Sequence, residues 1–199
     1  HMPGPLEGLK VLEVANWVAA PAACAIMADM GAEVVKIEHP ETGDPVRSID
    51  VSSRGVVQYS GGINTIFELL NRGKQSVAVN LESPQGQEVV QKLAAQSDVI
   101  VTNLTPHRQE RYRLRYEDIS ALNSRTIYLA LTGYGTEGPE RDRSGFDYAA
   151  FWARSGIMGS LGESGGPPTQ QRPGQGDQTT SLALTAAIGI ALYERERSG

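Results

Sequence analysis

Residues 10–38 read KVLEVANWVAAPAACAIMADMGAEVVKIE, and three local patterns follow one another within that stretch. Lys10 to Ala15 is a short run of strand-forming residues. Pro21 to Met30 then carries Ala22, Ala23, Ala25, Ile26, Met27 and Met30 as an apolar helical segment, and Gly31 is placed to end it. Ala32 to Ile37 gives a second strand before the turn cluster Pro40, Gly43 and Pro45. The unit is β-α-β, and such a unit predicts a parallel pair of strands joined by a right-handed crossover.

The same alternation continues outward. From about Gly43 to Gly73 the composition turns to Gly, Ser, Asp and Arg, which reads as a long irregular loop with one helical turn near Ile66 to Leu70. Gln75 to Leu81 returns as a strand. Ser83-Pro84 opens a helix with a cap residue and Pro at its first position, and Val89, Val90 and Leu93 are its apolar side. Asp98 to Asn103 is a buried-type strand, Glu117 to Leu122 a short helix and Thr126 to Thr132 another strand. A polar loop after Gly133, a helix around Phe146 to Arg154, a glycine-rich turn to Pro168 and a final helix from about Thr179 to Glu196 complete the chain. The expected fold is α/β, a Rossmann-like, mainly parallel sheet flanked by helices.

Composition bounds the function. The chain has 199 residues, 18 Lys and Arg against 23 Asp and Glu, and a net charge of -5, which offers nucleic-acid phosphates no general attraction. Cys24 is the only cysteine, so an internal disulfide and a four-thiolate zinc site are both excluded, and a reducing cytoplasm is the expected compartment. No stretch approaches the roughly 18 consecutive apolar residues of a membrane helix. His1-Met2 reads as the scar of an affinity tag, and residues 1–4 are set aside as a leader.

Several familiar motifs fail on context. Gly133-Tyr134-Gly135-Thr136-Glu137-Gly138 matches G-x-G-x-x-G after a predicted strand, but a charged loop follows it, not the apolar helix that a dinucleotide fingerprint requires. There is no P-loop, no H-E-x-x-H and no G-x-S-x-G. A carboxylate remains. Asp177 sits in PGQGDQTT (173–180) directly before the apolar segment Leu182 to Leu192. Position alone favours an N-cap; the other reading is a nucleophile beside helix N–H groups, with glycines that let a substrate approach.

Four segments, PLEGLKVLE (5–13), ADMGAEVVKIE (28–38), NRGKQS (71–76) and TGYGTEGP (132–139), closely resemble the family III CoA-transferases, the CaiB/BaiF family, and the likeness spans Pro5 to Gly199. EVANWVAAP (13–21), GFDY (145–148) and Ala153-Arg154-Ser155-Gly156 look most like members acting on 2-hydroxyacyl groups. The resemblance implies an acyl-CoA:carboxylate CoA-transferase in which Asp177 is the nucleophile, forming an aspartyl anhydride and then an aspartyl-CoA thioester. It implies coenzyme A or acyl-CoA as substrate with no permanently bound cofactor and no metal. It implies a carboxylic acid acceptor and a homodimer of the full-length protein.

By the same likeness, CoA contacts are expected at Val18 and Ala19 after the first strand, at His39, at Val79, Asn80, Leu81 and Glu82, and at Asn103, Leu104 and Thr105. All lie where predicted strands end, the edge at which open parallel sheets bind ligands. Arg111 aligns with a basic residue suited to the CoA phosphates, with Arg108 and Lys74 as helpers, and each of these charges has a solvated-surface alternative. Gly145, Phe146, Asp147 and Tyr148 align with a segment lining the thioester end. Trp17, Phe67 and Tyr112 are candidate walls of the acyl pocket, although buried core is the favoured role for any one of them, and Cys24 reads as a small core residue.

Two departures qualify the likeness. Racemases of the family carry His where Phe146 stands, and a phenyl ring moves no proton, so transfer is favoured over racemisation. Family members also have a smaller domain and a C-terminal return to the first domain. Residues 5–199 are therefore expected to be the N-terminal part of the larger Rossmann-like CoA-binding domain, with the small domain and the C-terminal return absent from this chain. A non-catalytic acyl-CoA-binding module is the alternative from another class.

Overall fold

A computed structural model describes residues 4–49, 63–169 and 171–199. Five strands, β1 (Lys10–Val14), β2 (Glu33–Glu38), β3 (Gln75–Ala78), β4 (Val99–Thr102) and β5 (Ile127–Ala130), form one sheet in the order β3-β2-β1-β4-β5. Every pairing is parallel. The helices are α1 (Ala19–Asp29), α2 (Thr65–Asn71), α3 (Pro84–Ala94), α4 (Pro106–Arg111), α5 (Tyr116–Ser120), α6 (Ile157–Ser160) and α7 (Gln175–Ser198). Tyr148–Arg154 is π-helical.

Successive side chains of a strand face opposite ways, and the sheet is covered on both sides. Leu12, Val14, Ile37 and Ile100 join Val90 and Ala94 of α3 and Ile119 of α5 in one layer. Val11, Val34, Val99 and Val101 join Ala20, Cys24 and Met27 of α1 and Ile188 of α7 in the other. The Cys24 thiol is fully enclosed there, and burial pushes its pKa up, which leaves it a packing residue. Strand order turns from decreasing to increasing between β1 and β4, so their carboxyl ends open a crevice.

The structure departs from the sequence reading at several boundaries. β3 stops at Ala78, three residues short of Leu81, after which Asn80 and Ser83 turn the chain into α3. α4 was not anticipated, because PHRQER has no apolar period. A short 3-10 turn at Pro45–Ser48 and α2 lie inside the expected loop, and residues 50–62 of that loop lie outside the described residues. α7 begins at Gln175, four residues before Thr179.

Lys74 is the clearest correction. It is buried, not exposed to CoA phosphates, and belongs to a charge network beneath α1. Glu13 of β1 bonds Lys36 of β2 at 2.6 Å through one oxygen and Lys74 at 2.6 Å through the other. Lys36 also meets Asp44 at 2.8 Å and the Ala15 carbonyl at 2.8 Å, while Lys74 donates to the Pro21 and Leu70 carbonyls at 2.8 and 2.7 Å. Burial opposes the Lys36 charge, but Glu13 and Asp44 outweigh it and its pKa is raised. At Lys74 burial wins and the pKa is lowered. Removing one charge strands the others in a low-dielectric interior. Lys36→Met is expected to destabilise the protein by about 3–5 kcal/mol in denaturant titration, whereas Lys92→Met, which breaks the exposed Lys92–Glu88 pair, leaves the midpoint unchanged.

Candidate active site

A cleft of about 510 Å³ opens at the carboxyl ends of β1, β4 and β5. Asn16 and Trp17 follow β1 into it, Asn103, Leu104 and Thr105 follow β4, and Leu131 to Gly133 follow β5. The Asn103 side chain holds the first two of these ends together: its Oδ1 accepts from Asn16 N at 3.1 Å and its Nδ2 donates to Asn16 O at 2.6 Å. Val18 and Ala19 line the same cleft at the start of α1, where no side chain caps the helix.

Phe146, Asp147 and Asp177 reach this cleft from later in the chain. Gly133 and Gly145 bring them in. A Cβ on either glycine would overlap the other's Cα, so the loop after β5 touches the Gly145 segment backbone to backbone. That contact is what Gly133, the first glycine of the apparent dinucleotide motif, does.

Asp177 is the third residue of α7, inside the first turn and not at the cap. The capping task falls to Asp147, which is buried and accepts from Gly174 N at 2.8 Å and from Asp177 N at 3.1 Å. Gly176 is required for this approach, since a Cβ there would overlap the Asp147 carboxylate and the Phe151 ring. Burial, followed by the charge of Asp147, raises the Asp177 pKa from its ordinary 3.8 to about 6. The helix N-terminus favours the ionised form, but it does not prevail.

A second cleft of about 240 Å³ lies along the ends of β1, β2 and β3 and contains His39, Val79, Asn80, Leu81 and Glu82. Asn16, Leu104 and Arg108 line both clefts, so the two adjoin along the strand ends. The His39 ring accepts from Glu41 N and Thr42 N at 3.3 and 3.4 Å and so shapes its own turn. Glu82 accepts from the Tyr112 hydroxyl at 2.6 Å and pairs with Arg111, which lines neither cleft. Arg108 makes no ion pair among the described residues, where Arg111 does.

The remaining expected residues divide between the clefts and the packing around them. Tyr148 donates its hydroxyl to the Gln171 carbonyl and lines neither cleft. Phe67 packs beside Val46 and Leu70 with Arg47 over its ring at 3.8 Å, away from the cleft. Tyr112 is a core residue with its hydroxyl at the second cleft. Trp17 does line the larger cleft. Asn16, Phe151, Arg141 and Arg143 also line it and were not singled out from sequence. Asn16 had a legible signal, as an Asn directly beyond a strand end that matches Asn103 beyond another.

Among the described residues there is no group of three or more His, Cys, Asp or Glu able to hold a metal ion, and no helix long and apolar enough to cross a membrane.

Residues 6–199 match the profile of CoA-transferase family III. The chain is 38% identical over 193 residues to a cinnamoyl-CoA:phenyllactate CoA-transferase of Clostridium sporogenes, a match covering 97% of this chain and 46% of that protein. It is 37% identical over 194 residues to an (R)-2-hydroxy-4-methylpentanoate CoA-transferase of Clostridioides difficile, covering 98% of this chain and 48% of that one. Among solved structures, a CaiB/BaiF family protein from Brucella suis superposes with a TM-score of 0.85 at 34% identity, over 100% of this chain and 51% of its own. The chain spans about half the length of the curated relatives it matches.

Burial of Asp177, with the charge of Asp147 beside it, makes a stability prediction. A carboxyl whose pKa is raised by folding binds protons more tightly in the folded state, so its ionisation costs stability as pH rises from 3.8 to about 6 and the full cost persists above that. Asp177→Asn is expected to match the parent below the lower of these values. Above the higher it should be more stable by about 1–2 kcal/mol, the interval discounted for partial exposure. Denaturant midpoints across pH check this.

Proposed function

The chain belongs to CoA-transferase family III, and on that premise we propose that the whole protein moves CoA from an acyl-CoA to a free carboxylic acid, with Asp177 as the nucleophile. The carrying observation is that Asp177 faces the cleft at the strand ends from a helix start whose backbone is held by Asp147. With Asp147 occupied by N–H groups, Asp177 is the carboxylate of the pair left to react.

In the proposed sequence an oxygen of ionised Asp177 attacks the thioester carbonyl carbon. The C–S bond breaks and its electron pair leaves on the CoA thiolate, giving an acyl-aspartyl anhydride. Thiolate attack on the aspartyl carbonyl expels the donor as its carboxylate and forms the aspartyl-CoA thioester. The acceptor carboxylate then attacks that thioester, releasing thiolate and forming a second anhydride. Thiolate attack on the acceptor's acyl carbon yields the new acyl-CoA and restores Asp177. No proton is transferred in any step, and the anhydride retains the energy of the thioester without ATP.

CoA is assigned to the groove that the two adjoining clefts would make together. His39 and Val79, Asn80, Leu81 and Glu82 line its nucleotide end in this reading, and Asn103, Leu104 and Thr105 its centre. Gly145 and Phe146 stand at the thioester end. The uncapped start of α1 at Val18 and Ala19 and the Arg108 guanidinium supply positive charge for phosphate or oxyanion. Arg111 is assigned a supporting part, through Glu82. By the family resemblance, residues 5–199 are assigned to the larger domain and the small domain to the remainder of the protein, for which the relatives' greater length leaves room. The single thiol supports a cytoplasmic setting.

We also propose a homodimer, supported by Leu182, Ile190 and Tyr193 of α7, which leave a large apolar stripe exposed. Light scattering on the whole protein is expected to give twice the chain mass, and a monomer at micromolar concentration contradicts the assignment.

Asp177→Ala is expected to abolish transfer while CoA affinity in calorimetry stays unchanged. Retained transfer sinks the nucleophile assignment. Because the ionised form must attack, kcat/KM is expected to be at half its plateau near pH 6, full well above it, and to fall about tenfold per pH unit well below it. A profile flat through that range contradicts the assignment.

A further inference from the structure

Of the three aromatic side chains that line the larger cleft, Trp17, Phe146 and Phe151, the first two stand more than a third exposed, and no step of the transfer uses them. Trp17 is 39% exposed and Phe146 54% exposed, and their rings meet edge to face at 5.6 Å. Large aromatics left open inside a cleft offer apolar contact area and a fixed π surface to whatever enters.

Both rings are mounted on backbone that has little freedom. Trp17 has φ 69°, a left-handed conformation that is rare and costly for a bulky residue and persists only when its surroundings impose it. Asn16 is clamped by Asn103 on one side. On the other, the Trp17 N–H points to Asp44 Oδ1 at 3.3 Å, and Asp44 is itself locked to Lys36 in the buried charge network. Phe146 stands between Gly145, pressed against Gly133, and Asp147, anchored on the start of α7.

The charges around the cleft complete the argument. Arg141 is paired with Asp142 at 3.2 Å, and Arg143 with Glu140 at 2.6 Å. Asp147 and Asp177 add negative charge at the reacting end. Arg108 is the lining cation without an ion pair among the described residues, and it stands where the two clefts join. Among the described residues, a second carboxylate on the acyl group finds one unpaired lining cation, Arg108 at the junction of the clefts, which the proposed function assigns to phosphate or oxyanion, and a negative field at Asp177.

We propose that Trp17 and Phe146 are specificity-determining residues that select acyl groups with a bulky apolar side chain, aryl-bearing or branched, over dicarboxylic acyl groups. This rests on the transferase reading above. The side chain lies against the two rings while the thioester carbonyl meets Asp177. Asp44 is a positioning residue, acting through the Trp17 backbone.

The test uses the whole protein and three donors, 3-phenylpropanoyl-CoA, succinyl-CoA and acetyl-CoA, with a common acceptor acid. The parent protein is expected to favour the phenylpropanoyl over the succinyl donor by about tenfold or more in kcat/KM. In Phe146→Ala and Trp17→Ala the ratio of kcat/KM for phenylpropanoyl-CoA to that for acetyl-CoA is expected to fall by about tenfold. Phe146→Leu, which keeps apolar bulk, retains most of that ratio. A preference for succinyl-CoA, or a ratio unmoved by both alanine variants, overturns the selectivity proposal and leaves the transferase reading standing. Absence of transfer from all three donors overturns the transferase reading, and this proposal with it.

Discussion

Two carboxylates buried under α1 need two buried ammonium groups, and that requirement organises the first half of the molecule. Glu13, Asp44, Lys36 and Lys74 balance to zero charge only if β1, β2, the entry to β3 and the loop at Asp44 stand in one arrangement. Glu38 extends the same logic to the end of β2: bonds from Arg47, together with those from Ser76 and the Asp44 N–H, hold its pKa down to about 2 despite its burial. Packing alone tolerates small slips between strands. Opposed buried charges do not, since each displaced partner leaves an unpaired ion in the interior. The chain leaving β1 therefore enters the cleft at a set place, and Trp17 takes its left-handed backbone there.

The second half of the site depends on Asp147. This side chain comes from the segment after Gly145 yet performs the helix-capping task for α7, where Gly174 has no side chain to do so. One interaction thus positions Phe146 and Asp177 together. It also gives Asp177 a negative neighbour, which with burial keeps its carboxylate less readily ionised than a solvated Asp. A carboxylate made harder to ionise is a stronger base and nucleophile once it is ionised, and the penalty is confined to mildly acidic pH.

Much of the fold was legible in the chain. The period change across residues 10–38 announces the β-α-β unit because Val11 and Leu12 must face opposite helical layers while Cys24 and Met27 share one helix side. Ser83-Pro84 marks the start of α3 by local chemistry alone, with the Ser83 hydroxyl accepting from Gly86 N. The missed features are non-local. Lys74 is indistinguishable from a surface lysine until Glu13 is folded beneath it. Asp177 invites a capping role that Asp147, 30 residues earlier, takes in its place. The approach of Gly133 to Gly145 is invisible in a motif whose spacing suggests a nucleotide loop. α4 has a start signal in Thr105-Pro106 but no apolar period to extend it.

The account stands or falls on a covalent bond to Asp177. The direct measurement is intact-protein mass spectrometry of the whole protein mixed with an acyl-CoA, then hydroxylamine treatment and peptide mapping. A CoA-sized or acyl-sized adduct is expected, converted by hydroxylamine to a hydroxamate on the peptide containing Gly176 and Asp177. Turnover that proceeds with no adduct at Asp177, or a hydroxamate at another carboxylate, contradicts it.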